Sequence, residues 1–498
     1  MAALLLPGTT IVVSPLIALQ RDQAAAIEGQ DVGSAAVLNS TLSQTGRDDV
    51  LADLEAGRIE FLFLAPEQFA NEATLARIQA AKPSLFVVDE AHCISGWGHD
   101  FRPDYLNLGA VIEALGHPRV LALTATAAPP VRKEICERLG MRDPAVLVQG
   151  FDRPNIDLSV ERVPDKPRKQ QAVLDHVLAA PKPGIVYAAT RKHAEELAEL
   201  LGGEGLRTAY YHAGLASRAR KETEAAFMAD EYDVLVATTA FGMGIDKPNV
   251  RFVFHADISE SLDEYYQEIG RAGRDDEGAQ AMLFYSHNDL HLRRFLASNG
   301  KVAAADVEQV LEALQEQGEP LSAQDVLEQV ELSKTKVRTV LAHLADLGAV
   351  ETLPTGAVVT NPDAEPVTDA PTDMAELAAE LQEQLEQAKR SRIDMMRGYA
   401  ETRTCRRAYL LGYFGEEYTP PCGACDNCRS GLGDVEAPAD TETEHPFAVN
   451  SQVEHEAWGV GTVLRYEGDT LTVLFDKAGY KTLATEVVVE QGLLHNVG

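Results

Sequence analysis

The feature that most constrains this chain is a pattern that occurs twice: short, unbroken apolar runs separated by helical stretches. In the first copy the runs are residues 10–14 (TIVVS), 61–64 (FLFL), 85–89 (LFVVD) and 120–124 (VLALT). In the second, after the turn at Pro154-Asn155, they are residues 184–187, 209–211, 234–237 and 252–255, with helices at 191–201 and 219–228 between them. Runs without polar alternation suit strands buried on both faces, and such strands are parallel and helix-covered. Residues 1–150 and 151–290 are therefore expected to be two α/β units, each a parallel sheet. Ligands of such sheets favour the carboxyl ends of the strands.

The character changes downstream. Residues 307–316, 323–330 and 334–347 read as amphipathic helices, and 350–353 with 357–360 as a hairpin turning at Pro354-Thr355-Gly356. Three helices and a hairpin make a winged-helix-like domain at 302–360. An acidic, proline-containing stretch leads to a helical segment with a cysteine cluster at 374–430. After a second acidic linker, 447–498 alternates in short strands and is expected to be a small all-β barrel.

Net charge is -33, which by itself points away from nucleic acid, since a polyanion is bound by neutralising its phosphates. The acid is unevenly placed, however. Residues 361–388 hold eight carboxylates and 430–447 hold five, with no Lys or Arg in either. Basic groups gather elsewhere, at 218–221 and among Arg390, Arg392, Arg397, Arg403, Arg406 and Arg407. Charge leaves the partner open. No run of 18 apolar residues occurs, so no spanning helix is expected. The N-terminus lacks the features of a secretory signal, which makes the cytoplasm the expected location.

Asp89-Glu90-Ala91-His92 ends a predicted buried strand. Adjacent carboxylates there can divide nucleotide hydrolysis, one holding Mg²⁺ and the other orienting and deprotonating water; a solvated acidic strand end is the alternative. The loop that follows carries Trp97, Phe101 and Arg102. Trp97 is one of two tryptophans in the chain. Stacking faces beside a cation suit single-stranded bases, although loop aromatics also pack locally. Thr124-Ala125-Thr126 ends the next strand. Gln267-Glu268-Ile269-Gly270-Arg271-Ala272-Gly273-Arg274 places two guanidinium groups three residues apart on a helical turn, where they are expected to point the same way. Such arginines can stabilise a transferring phosphoryl group or serve as surface ion-pair partners. Cys405, Cys422, Cys425 and Cys428 give C-x16-C-x2-C-x2-C, four thiolates suited to a closed, structural Zn²⁺ site, with an iron–sulfur cluster or unligated buried thiols as the alternatives. Cys93 and Cys136 lie outside it and are read as small core residues.

Taken in order with Val13-Ser14-Pro15-Leu16-Ile17-Ala18-Leu19, with Tyr187, and with the segment 238–248 (TTAFGMGIDKP), these motifs resemble those of superfamily 2 helicases, specifically the RecQ family. The resemblance runs from Thr10 to Tyr285 and implies tandem RecA-like domains. It further implies that Asp89 positions Mg²⁺, that Glu90 is the catalytic base, and that His92, Thr124, Thr126, Gly244, Asp246 and Gln267 couple nucleotide to DNA. Trp97, Phe101 and Arg102 would contact single-stranded DNA. Arg271 and Arg274 would face the nucleotide, with Arg274 as arginine finger. ATP, Mg²⁺ and a structural Zn²⁺ are the implied cofactors, and single-stranded or partly duplex DNA the implied partner, in a bacterial, nucleoid-associated setting. The order departs from the family, which places its winged helix after the zinc module; transfer of a duplex-separating hairpin to Pro354–Gly356 is weakened accordingly. Residues 453–463 (VEHEAWGVGTV) resemble the Tudor-like barrel ending UvrD-type helicases, which implies a protein partner such as RNA polymerase or a repair factor.

One motif is missing. The 498 residues contain no G-x-x-x-x-G-K-[ST], whose backbone amides cradle phosphates. Nine residues precede Thr10, too few for a strand, P-loop and helix. The expectation is an ATP-dependent 3′→5′ DNA helicase of repair and recombination whose gene product is longer, with Met1 an internal methionine. The competing expectation is an ATP-independent DNA-binding or scaffold protein.

Overall fold

The apolar runs form the expected strands. The computed structural model describes residues 2–30, 33–95, 102–242, 245–297, 302–317, 320–360, 371–432, 445–467, 469–475 and 477–497. Strands β1 (Thr10–Val13), β2 (Ala35–Leu38), β3 (Phe61–Leu64), β4 (Leu85–Val88) and β5 (Arg119–Ala122) make a sheet in the order β2-β3-β1-β4-β5. Every pairing in it is parallel. β1 and β4 are buried at all four positions, as runs without polar alternation require. β5, at the outer edge, is exposed or half-buried throughout.

The second sheet holds β6 (Ile156–Arg162), β7 (Gly184–Tyr187), β8 (Thr208–Tyr211), β9 (Val234–Ala237), β10 (Phe252–His255) and β11 (Ala279–Tyr285). Its order is β6-β11-β10-β7-β9-β8, again parallel. β7, β9 and β10 are fully buried and share a core with Val173, Val177, Leu197, Leu201 and Phe284. The apolar-run reading passes over β2, β11 and β6; β6 has a visible reason. Its sequence alternates Ile156, Leu158 and Val160 with Asp157, Ser159 and Glu161, the pattern of a strand with one polar face.

Helices Ala304–Gln317, Ala323–Gln329 and Lys334–Asp346 pack with the hairpin β12 (Val350–Thr352) and β13 (Val358–Thr360) around one core, the winged-helix arrangement. Ser322 and Asp325 close a capping box on the second helix, and Ser333 caps the third. A long helix, Pro371–Glu401, follows, then the short helices Arg406–Tyr413 and Asp426–Arg429.

The C-terminal segment is the expected small all-β unit. Strands β14 (Gln452–His455), β15 (Gly459–Glu467), β16 (Thr470–Phe475), β17 (Gly479–Ala484) and β18 (His495–Asn496) form an antiparallel sheet in the order β17-β16-β15-β14-β18. Among the described residues its two end strands are not hydrogen-bonded to each other, and Val453, Val463, Leu471, Val473 and Phe475 share one core.

The serial segments assemble into two units, residues 1–146 with 299–385, and 147–298 with 386–498. The winged-helix segment thus packs with the first parallel sheet, and the cysteine module and C-terminal sheet pack with the second. In the second unit the module covers the edge strand β6. The Leu158 amide donates to the Ala424 carbonyl at 3.0 Å and the Val160 amide to Asp426 Oδ2 at 3.0 Å. An open strand edge would otherwise invite pairing with another chain. The C-terminal sheet is anchored as well. Tyr480 stacks on Tyr413 at 5.2 Å, and the Arg465 guanidinium lies 3.5 Å from the Tyr409 ring centre.

Candidate active site and metal centre

A parallel sheet delivers the carboxyl ends of neighbouring strands to one edge, and the register here brings Ser14, Asp89 and Thr124 together. Val13 pairs with Val88, and Val88 with Ala122. Asp89 therefore leaves β4 beside the end of β1, its amide donating to the Val13 carbonyl at 2.9 Å. Its carboxylate accepts from the Ser14 hydroxyl at 3.2 Å and from the Glu90 amide at 3.1 Å. The Tyr105 hydroxyl donates to the Asp89 carbonyl at 3.1 Å. Burial pushes the Asp89 carboxyl above its ordinary range, opposed by those two donors. A partly desolvated carboxylate at a strand end suits a divalent cation, which would satisfy its remaining lone pairs.

Glu90 sits at φ +48°, a left-handed conformation that turns its side chain off the strand line and costs of order 1–3 kcal/mol. His92 is fully buried, with Nδ1 2.9 Å from Thr124 Oγ1 and 3.4 Å from Glu90 Oε2. Thr124 Oγ1 in turn donates to the Thr126 carbonyl at 3.1 Å and accepts from the Thr126 amide at 3.2 Å. A polar chain Glu90–His92–Thr124–Thr126 thus runs along the sheet edge. Arg102 is half-buried; its Nη1 donates to the Pro15 carbonyl at 3.3 Å. Trp97 and Phe101 lie outside the described residues, as does Gly244 in the second unit.

The second unit corrects one expectation. The Leu262–Ile269 helix, capped by Ser261, ends before the two arginines, and Gly273 adopts φ +58° in the turn beyond. A Cβ at Gly273 would stand 2.7 Å from the Glu277 carbonyl, so the tight turn admits only glycine. Because the backbone leaves the helix, Arg271 and Arg274 do not point the same way. Arg271 is 6% exposed and lies beside the buried Tyr187 hydroxyl. Arg274 Nη1 donates to the Ile245 carbonyl at 2.8 Å and pairs with the exposed Asp246 at 2.7 Å. Gln267 is half-buried on the helix.

Sequence reasoning gave Ser14 and Tyr105 no role. Ser14 was within reach, since it ends the apolar run of β1 and so had to emerge at the same sheet edge. Tyr105 carries no comparable signal.

Among the described residues, Cys405, Cys422, Cys425 and Cys428 bring their sulfurs within 4.8 Å of one another. A tetrahedral Zn²⁺ with Zn–S of about 2.3 Å needs sulfurs about 3.8 Å apart. The donor set fits. Cys405 and Cys425 cap the two short helices and are fully buried. The hydrogen bond from the Cys405 thiol pushes Cys425 down to about 4, and the same contact pushes Cys405 up. Asn427 holds the loop by donating from Nδ2 to the carbonyls of Thr402 at 3.1 Å and Thr404 at 2.7 Å.

Comparison with known proteins accords with this geometry. Residues 2–135 match the DEAD/DEAH box helicase model, 168–276 the helicase conserved C-terminal domain, 309–354 the IclR helix-turn-helix domain, and 371–429 the RecQ zinc-binding domain. The chain is 35% identical over 466 residues to the probable ATP-dependent DNA helicase RecS of Bacillus subtilis, covering 92% of this chain and 88% of RecS. The chain belongs to the RecQ family of ATP-dependent DNA helicases. It is also 42% identical over 295 residues to ATP-dependent DNA helicase RecQ of Bacillus subtilis, spanning 59% of this chain and 49% of that relative. Within a RecQ-family frame, ATP with Mg²⁺ is the fuel, DNA the polymer acted on, and the cysteine cluster a structural zinc site. No described helix is long and apolar enough to cross a membrane.

Proposed function

We propose that this protein is the engine of a 3′→5′ helicase working in DNA repair and recombination in the bacterial cytoplasm. The observation that carries the reading is the convergence of Asp89, Glu90, His92 and Thr124 on one edge of a parallel sheet. Asp89 with Ser14 would hold Mg²⁺, which neutralises charge on the triphosphate when bound. Glu90, turned out by its left-handed backbone, orients the attacking water and accepts its proton. His92 and Thr124–Thr126 relay the state of that site along the sheet edge. Arg102, with Trp97 and Phe101, contacts the single strand, and Gly244, Asp246 and Gln267 couple it to nucleotide. Arg274 is the arginine finger; its exposed pairing with Asp246 is easily exchanged for a phosphate. Arg271, buried, shapes the segment that presents it. The C-terminal sheet is a docking site for a protein partner such as RNA polymerase or a repair factor.

The 498 residues hold no phosphate-cradling motif, which for the chain by itself favours the second reading, ATP-independent DNA binding. One experiment separates the two. Phosphate release and strand displacement on 3′- and 5′-tailed duplexes are compared for this chain and for a form joined, ahead of Met1, to a strand, P-loop and helix. The helicase reading expects DNA-stimulated hydrolysis and displacement of the 3′-tailed substrate by the extended form, both lost in Glu90→Gln. An extended form that binds nucleotide and DNA without hydrolysis would sink it.

A further inference from the structure

The winged-helix segment presents a helix with two buried faces. Lys334–Asp346 contributes Val337, Val340 and Leu344 to the core of its own domain. A second stripe, Arg338, Leu341, Ala342 and Ala345, falls at i, i+3, i+4 and i+7. It lines a cavity of about 230 Å³ together with Pro103 and Asn107 of the first parallel-sheet domain. Ala342 is under a tenth exposed, as is Leu341, which also belongs to the domain's own core. Arg338 Nη1 lies 3.6 Å from Asp104, and Arg138 Nη1 lies 2.9 Å from Asp346. The hairpin turn closes on the same surface, since a Cβ at Gly356 would stand 2.7 Å from Asn107 Nδ2. In helix-turn-helix domains the corresponding helix enters the major groove. Here that stripe is covered by the protein itself.

What it covers matters. Pro103–Tyr105 is a single helical turn whose two ends reach functional groups. At one end Arg102 donates its amide to the Cys93 carbonyl at 2.9 Å, and the Tyr105 amide closes on the Arg102 carbonyl at 2.9 Å. At the other, the Tyr105 hydroxyl holds the Asp89 carbonyl. A rigid turn of this kind links the position of Arg102 to that of Asp89, and three residues of turn have little stability of their own. We propose that the winged-helix segment is a brace for the 102–105 turn, with Arg338 a positioning residue that holds Arg102 and Asp89 in fixed relation. The inference rests on reading Arg102 as a single-strand contact.

The test uses the full chain with Trp458→Phe, leaving Trp97 as the only tryptophan, and adds Arg338→Glu to set like charges against Asp104. Hydrogen exchange is read first, without DNA. The amides of Arg102, Tyr105 and Leu106 are expected to exchange about tenfold faster in Arg338→Glu. Titration with oligo-dT followed by Trp97 fluorescence is then expected to show affinity reduced about fivefold, close to 1 kcal/mol at 1.4 kcal/mol per tenfold. Arg338→Lys leaves both readouts at parent values, and the swap Arg338→Asp with Asp104→Arg restores them. Unchanged exchange at the three amides overturns the brace. So does a variant that gains duplex affinity while binding oligo-dT as the parent does, because the helix would then be an occluded duplex reader. A parent chain blind to oligo-dT, with faster exchange still present in the variant, overturns the single-strand reading and supports the brace.

Discussion

Removing zinc should release the strand edge that the metal-binding loop covers. The four sulfurs sit within 4.8 Å of one another, and a shared Zn²⁺ is what would tie Cys405 to the 422–428 loop, so ligation free energy is ordering free energy for that loop. The loop carrying Ala424 and Asp426 is then free to open, and with it go two hydrogen bonds to β6, Leu158 to Ala424 and Val160 to Asp426, each 3.0 Å. At about 1 kcal/mol each their joint loss is about 2 kcal/mol, or about 30-fold in opening equilibrium. The assay is backbone hydrogen exchange before and after stoichiometric chelation, with metal release followed by a chromogenic indicator. The Leu158 and Val160 amides should exchange about 30-fold faster, while interior amides such as Val186 and Val236 stay protected. Complete zinc release with unchanged exchange at 158 and 160 would show that the module holds the edge without its metal, and the reasoning would fail.

Four further outcomes follow from the same geometry. Burial raises the Asp89 carboxyl above its unfolded value, so its contribution to stability is present below the unfolded pKa and lost as pH rises through the native one; Asp89→Asn should melt higher than the parent at pH 8, by a margin that shrinks as pH falls toward the ordinary carboxylate range, about 4. Identical pH profiles would count against a desolvated site. The 498-residue chain should release phosphate from ATP at background rate with or without single-stranded DNA, since the reacting groups act only on a held triphosphate; DNA-stimulated turnover lost in Glu90→Gln would show another segment doing the cradling. Tyr480→Ala removes the ring stacked on Tyr413 and should cost about 3 kcal/mol or more, giving the C-terminal sheet its own calorimetric transition; one unchanged transition would contradict that anchorage. Arg271→Ala should lower the melting temperature by several degrees and Arg274→Ala by about one or less, because the first is buried and the second half-exposed; equal effects would refute the division of roles.

Much of this was legible in the sequence because burial writes itself into residue order. Runs such as Ile11-Val12-Val13 and Phe252-Val253-Phe254 have no polar alternation, are too short for a helix and are rich in β-branched and aromatic residues, which suits a strand covered on both faces. Once the strands are placed, the carboxyl-end positions of Asp89 and Thr124 follow, and so does their meeting with each other. The cysteine spacing likewise announced a closed metal site, because four soft ligands this close in sequence have few other uses.

Other features depended on contacts distant in sequence. The alternating residues of β6 signal an edge strand, but not that the cysteine module would cover it; that depends on Leu158 meeting Ala424, 266 residues on. The paired arginines of the 267–274 segment read as one helical face, but the helix ends at Ile269 and Gly273 takes the backbone into a left-handed turn. The winged-helix segment could be read from its helices and hairpin, yet its place against Pro103 and Asn107 is set by side chains on both partners that carry no pairing signal. Periodicity determines which face of an element is buried. What that face is buried against is decided by packing between segments far apart in the chain, and only the tertiary structure records it.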